Sequence, residues 1–294
     1  MKTLKLLIYL FFICCSSLYA QEKYKFGNVT KEELVMQEYS FDKKASAIIL
    51  DEYIKVTYGR NIMLPNYKRR HMSGVLEVYN RDSLDYYTII TTIKRKIKIL
   101  KPEGKQFEKV TIPFNTADAL KPERIRTSFI SASSYNLQNG EIKKSRMKKN
   151  DIKQIVLNDT TSQIEFIIPN VKEGSIIEYS YTKESYASNL NYHCFQHLIP
   201  TVKSCFQIAI PNRLDYEILQ LGDFPINVNK VKSNQRIYLI YNGNYGRIDG
   251  INGNWNYDAN LYTFIAKDLP PIELNSKPED VSGLKFIFNG ILIF

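Results

Sequence analysis

The sequence contains little of what most catalytic or metal-binding sites are built from. Its 294 residues include only 4 cysteines, 3 histidines and 1 tryptophan. Two of the cysteines lie within the first twenty residues, so Cys194 and Cys205 can form one disulfide but no cysteine framework. A glycine-rich phosphate loop and a nucleophile-elbow motif are both missing. These absences argue against nucleotide-dependent enzymes and serine hydrolases.

Long hydrophobic runs are also scarce, and the clearest one lies at the N-terminus. Lys2 and Lys5 precede an apolar run over residues 6–13, and a small-residue region ends at Ala20. This pattern predicts a signal peptide over residues 1–20, because the run is shorter than the roughly 20 residues that span a bilayer. We therefore expect an exported protein, periplasmic or secreted, that starts at Gln21 and has no membrane span after cleavage.

A lipoprotein signal is the alternative for the same segment. Cys14 and Cys15 lie behind apolar residues, as a lipid-modified cysteine does. The residues before Cys14 are Phe12 and Ile13, however, where a small residue is usual.

The chain has an excess of positive charge, with a net value of +10. Basic residues concentrate at 94–98 and 143–149, where they alternate with other residues in strand-like segments. This alternation favours a solvated sheet face. Nucleic-acid binding also needs such patches, but we do not expect nucleic acid as the partner of an exported chain.

Helical signals are few. Residues 28–37 read as a short helix with Thr30 as its N-cap and Glu33 as the reciprocating residue of a capping box. The segment Thr116–Leu120 is the one other candidate for a helical turn.

Most of the remaining sequence predicts strands. Tyr86–Leu100 is a long strand, whereas Ala45–Tyr58 reads as two strands with a turn at Asp51-Glu52. Asn139-Gly140 predicts a two-residue type I′ hairpin. Further strands are expected at Gln163–Ile168 paired with Ser175–Lys183, at Cys205–Ile210 and at Arg236–Tyr241.

The segment Phe166–Tyr181 is the most informative stretch. Pro169-Asn170 ends an apolar run, Gly174 allows a positive φ, and a half-buried strand with period two follows. Together the patterns predict an all-β fold, a large irregular antiparallel β-sandwich over residues 21–275 with one or two short helices.

The same segment, read with several others, resembles an uncharacterised domain of exported bacterial proteins. The supporting stretches are 169–181, 46–50, 97–104, 134–140, 195–200 and 210–211. In that family the domain precedes a transglutaminase-like, papain-fold core. The resemblance implies an N-terminal β module without chemistry of its own, since the catalytic cysteine, histidine and aspartate belong to the core. A transglutaminase-like domain is therefore the expected partner, and no cofactor is implied.

The last residues of the sequence are mostly apolar. Residues 276–294 finish in an apolar segment without polar residues at its end, and such an exposed edge would invite aggregation. We expect this segment to begin a missing C-terminal part. The alternative is a last strand that packs into the same sandwich.

One cluster could carry chemistry, and its members are His193, Cys194, His197 and Cys205. A cysteine nucleophile needs a histidine within reach, but on a strand Cys194 faces away from both histidines. Zinc would accept these ligand types, although the His-Cys-x-x-His spacing is unusual. A Cys194–Cys205 disulfide or two ordinary thiols are the remaining options, and we expect no catalytic or metal site.

The loop Asn242–Asn256 and its flank offer a binding hypothesis. Tyr245, Trp255 and Tyr257 stand among asparagines and glycines, as in sites for glycans or peptides. A stand-alone module that binds a glycan or peptidoglycan is thus the alternative function, whereas contact with an envelope protein is a further possible role of the accessory module. The simpler interpretation is a long turn with Trp255 as its packing anchor. His71, among basic residues, reads as a solvated loop position.

Overall fold

Two long strands, β1 (Ala47–Asn61) and β2 (Tyr87–Ile99), pair in antiparallel fashion at the centre of a large sheet in the computed structural model of the chain. The structure describes residues 24, 26–61, 87–116, 123–125, 127–185, 190, 192–236, 239–241, 244–245, 256–273 and 281–291. Strands dominate these residues, which confirms the all-β prediction.

The other strands follow in chain order. They are β3 (Lys109–Asn115), β4 (Glu123–Ile125), β5 (Ser131–Gln138), β6 (Glu141–Arg146), β7 (Lys153–Asn158), β8 (Thr161–Ile167), β9 (Ile176–Ser185), β10 (Tyr192–Cys194), β11 (Thr201–Pro211), β12 (Leu214–Leu221), β13 (Ile226–Arg236), β14 (Leu239–Tyr241), β15 (Asn244–Tyr245), β16 (Asn256–Leu269) and β17 (Gly283–Ile291). Helical segments are α1 (Lys31–Val35) and the 3-10 segments Pro102–Glu108, Thr127–Phe129 and Lys149–Asp151.

The strands form three sheets. The large sheet has the order β13-β16-β11-β1-β2-β9-β5-β6, with β14 beside β1, β15 beside β14 and β4 beside β9. The two small sheets have the orders β10-β17-β12 and β3-β8-β7. Most pairs are antiparallel, but β1 runs parallel to β11 and to β14. The sequence predicted no parallel pair, because strands so far apart in the chain leave no local signal of their pairing.

Both small sheets cover the same face of the large sheet. The first core lies under β3-β8-β7, and its buried side chains include Ile49, Ile97, Ile112 and Phe166. The second core lies under β10-β17-β12 and includes Ile54, Ile93, Phe206, Leu284 and Phe286. Since Ile93 and Ile97 share one face of β2, the two cores lie side by side on that face.

Two local predictions are confirmed in detail. Thr30 caps α1, and both halves of the capping box with Glu33 are present. Asn139 and Gly140 both have positive φ, at 51° and 77°, which is the backbone of a type I′ turn between β5 and β6. These features were predictable because their causes lie within a few residues of each other.

The predicted turn at Asp51-Glu52 is wrong. Both residues lie inside the continuous strand β1, next to a β-bulge in which Leu50 is the extra residue between the pairs Ile49–Ile97 and Asp51–Lys96. Two adjacent acidic residues resemble a turn in sequence, but the bulge accommodates them within the sheet.

The segment Phe166–Tyr181 follows its prediction only in part. The strand β8 ends before Pro169, and Gly174 has a φ of 81° before β9 begins. The two strands do not pair, however, because β8 lies in a small sheet and β9 in the large one. Ile176 and Ile177, on opposite faces of β9, are both fully buried, so the strand is not half-buried as predicted.

The basic stretch at 94–98 is likewise only partly a solvated face. Lys96 and Lys98 share one face of β2 as predicted, but both are buried beneath the N-terminal segment. The stretch at 143–149 is exposed at most positions, and β6 forms an edge of the large sheet. Alternation thus predicted which residues share a face but not what covers it.

The C-terminal strand β17 pairs with both β10 and β12 and contributes to the second core. This is the packing that the alternative interpretation expected; the domain boundary at residue 275 and a further C-terminal part stay predictions. Residues 1–20 and 117–120 lie outside the described residues. Within the described part of the chain, no helix is long and apolar enough to cross a membrane.

Gly104 provides a stability test of the fold. The Ser46 carbonyl oxygen accepts hydrogen bonds from Leu100 N and Lys101 N, and a Cβ on Gly104 would lie 2.3 Å from that oxygen. We expect Gly104→Ala to lower the free energy of unfolding by about 2–3 kcal/mol, because backbone must move to relieve the overlap. Gly174→Ala is the control; its φ is positive but its surroundings are open, so a loss of about 1 kcal/mol is expected. Equal losses in urea unfolding would contradict the steric argument.

Candidate functional site

A buried ion pair lies between the two cores. The bulge at Leu50 turns Glu52 to the same face as Ile49, directly opposite Arg95 on β2. The neighbouring pairs on this face are Ile49–Ile97 on one side and Ile54–Ile93 on the other, and they belong to different cores. The charged pair therefore marks the seam between the two small sheets.

Four hydrogen bonds satisfy the Glu52 carboxylate, which is fully buried. Arg95 Nε donates to Oε1 at 2.8 Å, and Arg95 Nη2 donates to the same oxygen. Ser204 Oγ donates to Oε2 at 2.8 Å, and His197 Nε2 lies 2.9 Å from Oε2. Ser204 comes from the parallel strand β11, and His197 from the segment between β10 and β11.

Two tyrosines of β9 hold the other side of Arg95. Arg95 Nη1 donates to Tyr179 Oη at 2.9 Å, and the guanidinium carbon lies 5.8 Å from the centre of the Tyr179 ring. Tyr181 stacks on Tyr179 with their ring centres 6.5 Å apart. The guanidinium is thus fixed by a carboxylate, a hydroxyl and a π-face.

The electrostatics favour the charged form of both partners. Burial alone would raise the pKa of Glu52, but Arg95 and His197 outweigh this and hold the pKa well below its usual range. Burial likewise opposes the charge of Arg95, yet the Glu52 carboxylate keeps the pKa of Arg95 above its usual value. At neutral pH this is a stable, ionised pair.

The arrangement of serine, histidine and carboxylate differs from that of a nucleophilic triad. An ionised carboxylate can only accept, so the His197 Nε2 that contacts Glu52 carries the proton. Ser204 donates to the same carboxylate oxygen rather than to the histidine. In a triad the histidine lies between the hydroxyl and the acid. Here the acid is central, and the geometry orients the groups around it without activating Ser204.

His193 lies close to this network but contacts aromatic rings. Its ring stacks on Phe206 with centres 4.1 Å apart and meets Phe195 edge-on at 4.6 Å. Its Nε2 is buried and has no hydrogen-bond partner among the described residues. Burial lowers the pKa of His193 to about 3, so the ring is neutral at neutral pH.

The two cysteines are free thiols in the structure. Cys205 points away from the face of β11 that carries Ser204 and Phe206, whereas β10, which holds Cys194, lies over that face. The disulfide considered from the sequence is therefore absent here. Cys194 Sγ donates to the Gln196 carbonyl oxygen at 3.1 Å, and burial raises the pKa of Cys205 to about 11.

The remaining predicted positions are spread apart. Tyr257 lies on β16, and its hydroxyl accepts from Tyr58 N at 3.2 Å and donates to Ala209 O at 3.5 Å. Tyr245 belongs to β15, while Trp255 and His71 lie outside the described residues. A ligand site built from the loop aromatics stays a prediction. In the described part of the chain, no group of three or more His, Cys, Asp or Glu could hold a metal ion.

Of the central network, the sequence predicts only His197 as a candidate site residue. It places Glu52 in a predicted turn and Arg95 in a strand with alternating parity. Ser204 precedes the predicted strand that starts at Cys205. Glu52 can be paired with Arg95 only if the register of the long strands β1 and β2 is known and includes the bulge at Leu50. The sequence alone does not reveal where a bulge lies.

The Glu52 network predicts a large mutational effect with a defined pH dependence. We expect Glu52→Gln to lower the free energy of unfolding by about 3 kcal/mol at pH 7, because Arg95 would lose its buried counter-ion. Since the folded pKa lies below the unfolded value of about 4.3, this stabilisation is present above that pH and shrinks as the pH falls below it. The control Glu165→Gln, which removes a partly exposed pair with Lys109, should cost less than about 1 kcal/mol. Urea unfolding of the unaltered protein and of Glu52→Gln at pH 7 and near pH 3 tests this. A difference in unfolding free energy between the two proteins that is larger near pH 3 than at pH 7 would contradict the prediction.

His193 predicts a separate loss of stability in mild acid. An unfolded histidine has a pKa of about 6.5, so between pH 6.5 and 3 the unfolded chain binds more protons and stability falls as the pH falls. Between pH 7 and 5 the loss should reach about 2 kcal/mol, and His193→Phe should remove it while keeping the ring stack. Unfolding free energies of both proteins at the two pH values measure this. If the two proteins lose the same unfolding free energy between pH 7 and 5, groups other than His193 cause the acid sensitivity.

No curated protein shows significant similarity to the chain. Among 16 matching chains of solved structures is a candidate protease from Parabacteroides distasonis, with a TM-score of 0.52 and 9% sequence identity. The match covers 82% of this chain but only 40% of that protein, and at this identity it shows the fold alone.

A domain of unknown function with a solved structure, DUF3857, matches residues 87–248, which is more than half of the chain. The matched range includes Arg95, His197 and Ser204, and it begins at β2. The resemblance seen in the sequence, to an uncharacterised domain, is thereby confirmed: the chain belongs to the DUF3857 family.

Proposed function

We propose that this chain is a non-catalytic accessory module that packs on a catalytic core and presents substrates or partners to it. The observation that carries the proposal is the coverage of the protease structure. Most of this chain aligns, yet it accounts for 40% of that longer protein. A module of this kind has a defined fold and leaves the chemistry to the rest of the polypeptide.

The buried polar network supports the same proposal. Glu52 is the centre of the network, and the hydroxyl and imidazole around it donate to its carboxylate. A nucleophile would need a hydrogen-bond partner that readily takes up its proton, and the Glu52 carboxylate is a poor one because Arg95 and His197 hold its pKa well below the usual range. The network instead joins the large sheet to the segment that leads into β11, which is a structural role.

The proposed core is of the transglutaminase-like, papain-fold class. The sequence resemblance motivates this choice, because in that family a core with cysteine, histidine and aspartate follows the β domain. Export through the predicted signal peptide would place the module in the periplasm or outside the cell, where a core of this class could act on envelope proteins.

An activity assay tests the non-catalytic part of the proposal. Purified chain starting at Gln21 should neither cleave labelled casein nor incorporate a labelled amine into it. Ser204 donates to the Glu52 carboxylate, a weak base because its pKa is held well below the usual range, and Cys194 donates to a backbone carbonyl oxygen. Ser204→Ala and Cys194→Ala are the matched variants, and a commercial papain sample is the positive control. Turnover that disappears in either variant would overturn the proposal.

Sequencing the gene beyond the codon for residue 294 is the first step in testing the partner. If a frame there encodes the cysteine, histidine and aspartate, the product should bind the purified chain in size-exclusion chromatography, and its turnover of casein should change when the module is added. Absence of both binding and any kinetic effect would contradict the accessory role.

A further inference from the structure

The N-terminal segment lies on the face of the large sheet opposite the two small sheets. We define it as the N-terminal strap: Tyr24 and residues 26–35, which include α1. Beneath it lie three charged side chains that are almost completely buried, Glu178 on β9 and Lys96 and Lys98 on β2. Burying three charges under a short segment is costly unless the segment satisfies them.

The strap satisfies these charges mainly with its backbone. Gly27 N donates to Glu178 Oε2 at 2.8 Å. Lys96 Nζ donates to Asn28 O at 2.7 Å, and Lys98 Nζ donates to Leu34 O at 2.6 Å. Charge-assisted bonds to main-chain groups recognise any peptide with the same backbone course, since every residue offers a carbonyl oxygen and every residue except proline an amide N–H.

Two side chains add anchors at the two ends of the strap. Tyr24 Oη donates to Glu178 at 3.2 Å. Leu34 is buried in a cluster with Tyr135 and Ile176. Between the anchors, Glu33 closes the capping box of α1 and pairs with Lys96 Nζ at 3.0 Å. Backbone recognition with spaced side-chain anchors is how grooves bind peptide ligands.

The connection to the rest of the chain allows the strap to be separated. Gln37 and Glu38 are exposed, and the next residue, Tyr39, is buried and bonded through its hydroxyl to Asp268 at 3.0 Å. Residue 39 therefore anchors β1 independently of the strap. Met36, the residue that follows the strap, packs against the cluster of Tyr39, Ala45, Ile48 and Leu100, and the exposed residues Gln37 and Glu38 come after it.

We propose that this sheet face is a peptide-binding site, which the chain fills with its own N-terminal strap and which a free peptide of the same chemistry can occupy in its place. The ligand class is a peptide with a glycine turn followed by a capped helical turn, with an aromatic residue near its start and a leucine in the helical turn. The lowered pKa of Lys98, about 8 because of burial, fits a side chain enclosed by the bound segment. This site is independent of the proposed accessory function.

The test uses the full mature chain, with a protease recognition sequence inserted between Gln37 and Glu38. After cleavage, the strap should stay bound in size-exclusion chromatography. A fluorescein-labelled synthetic peptide of residues 22–37 should then exchange into the site, with a rise in fluorescence anisotropy, while the far-UV circular dichroism of the sheets stays unchanged.

Variants show which contacts hold the peptide. Glu178→Gln and Lys98→Met should each weaken peptide binding about tenfold or more, because each removes a charge-assisted bond to the strap backbone. Glu165→Gln, the same chemical change on another sheet, is the matched control and should have no effect. A peptide with an ester oxygen in place of the Gly27 amide nitrogen should bind the unaltered protein about tenfold more weakly, which keeps the test valid if a protein variant does not fold.

Two results would overturn the inference. One is that labelled peptide enters only when the circular dichroism of the sheets is lost, which would make the strap an inseparable part of the fold. The other is that the ester peptide and both charge variants bind as tightly as their controls, which would leave no role for backbone recognition.

Discussion

The ion pair between Glu52 and Arg95 is the interaction on which the arrangement of the sheets depends. It lies on the single face that both small sheets cover, at the point where one apolar core ends and the next begins. A fully buried carboxylate tolerates this position only with a counter-ion and hydrogen bonds to its oxygens. Arg95, Ser204 and His197 supply them from three different parts of the chain.

This requirement explains the irregularity of β1. Without the bulge at Leu50, strict alternation would place Asp51 on the face of Ile49 and turn Glu52 to the other face. The extra residue reverses the parity, and the parallel neighbour β11 then brings Ser204 opposite Glu52. A polar seam between two cores also restricts how the strands can pair, since any slip by one residue would bury the carboxylate without its partners.

On the opposite face of the large sheet, buried charges also need hydrogen-bond partners, but these partners come from a different kind of group. There the buried charges are Lys96, Lys98 and Glu178, and the groups that satisfy them belong largely to the backbone of the strap. Charges on one face thus hold strands together, and charges on the other face hold a peptide segment.

Local physical causes determined what the sequence alone revealed. The capping box at Thr30, the type I′ turn at Asn139-Gly140, the period-two faces of β2 and the all-β class all follow from residues within about one turn or one strand of each other. The family resemblance also rests on such short segments. Only the tertiary structure decided that a bulge at Leu50 turns Glu52 toward Arg95, that Lys98 is covered and that β8 and β9 belong to different sheets. Those outcomes depend on strand partners from distant parts of the chain, because burial and charge pairing are properties of the surroundings that a strand acquires and not of its own sequence.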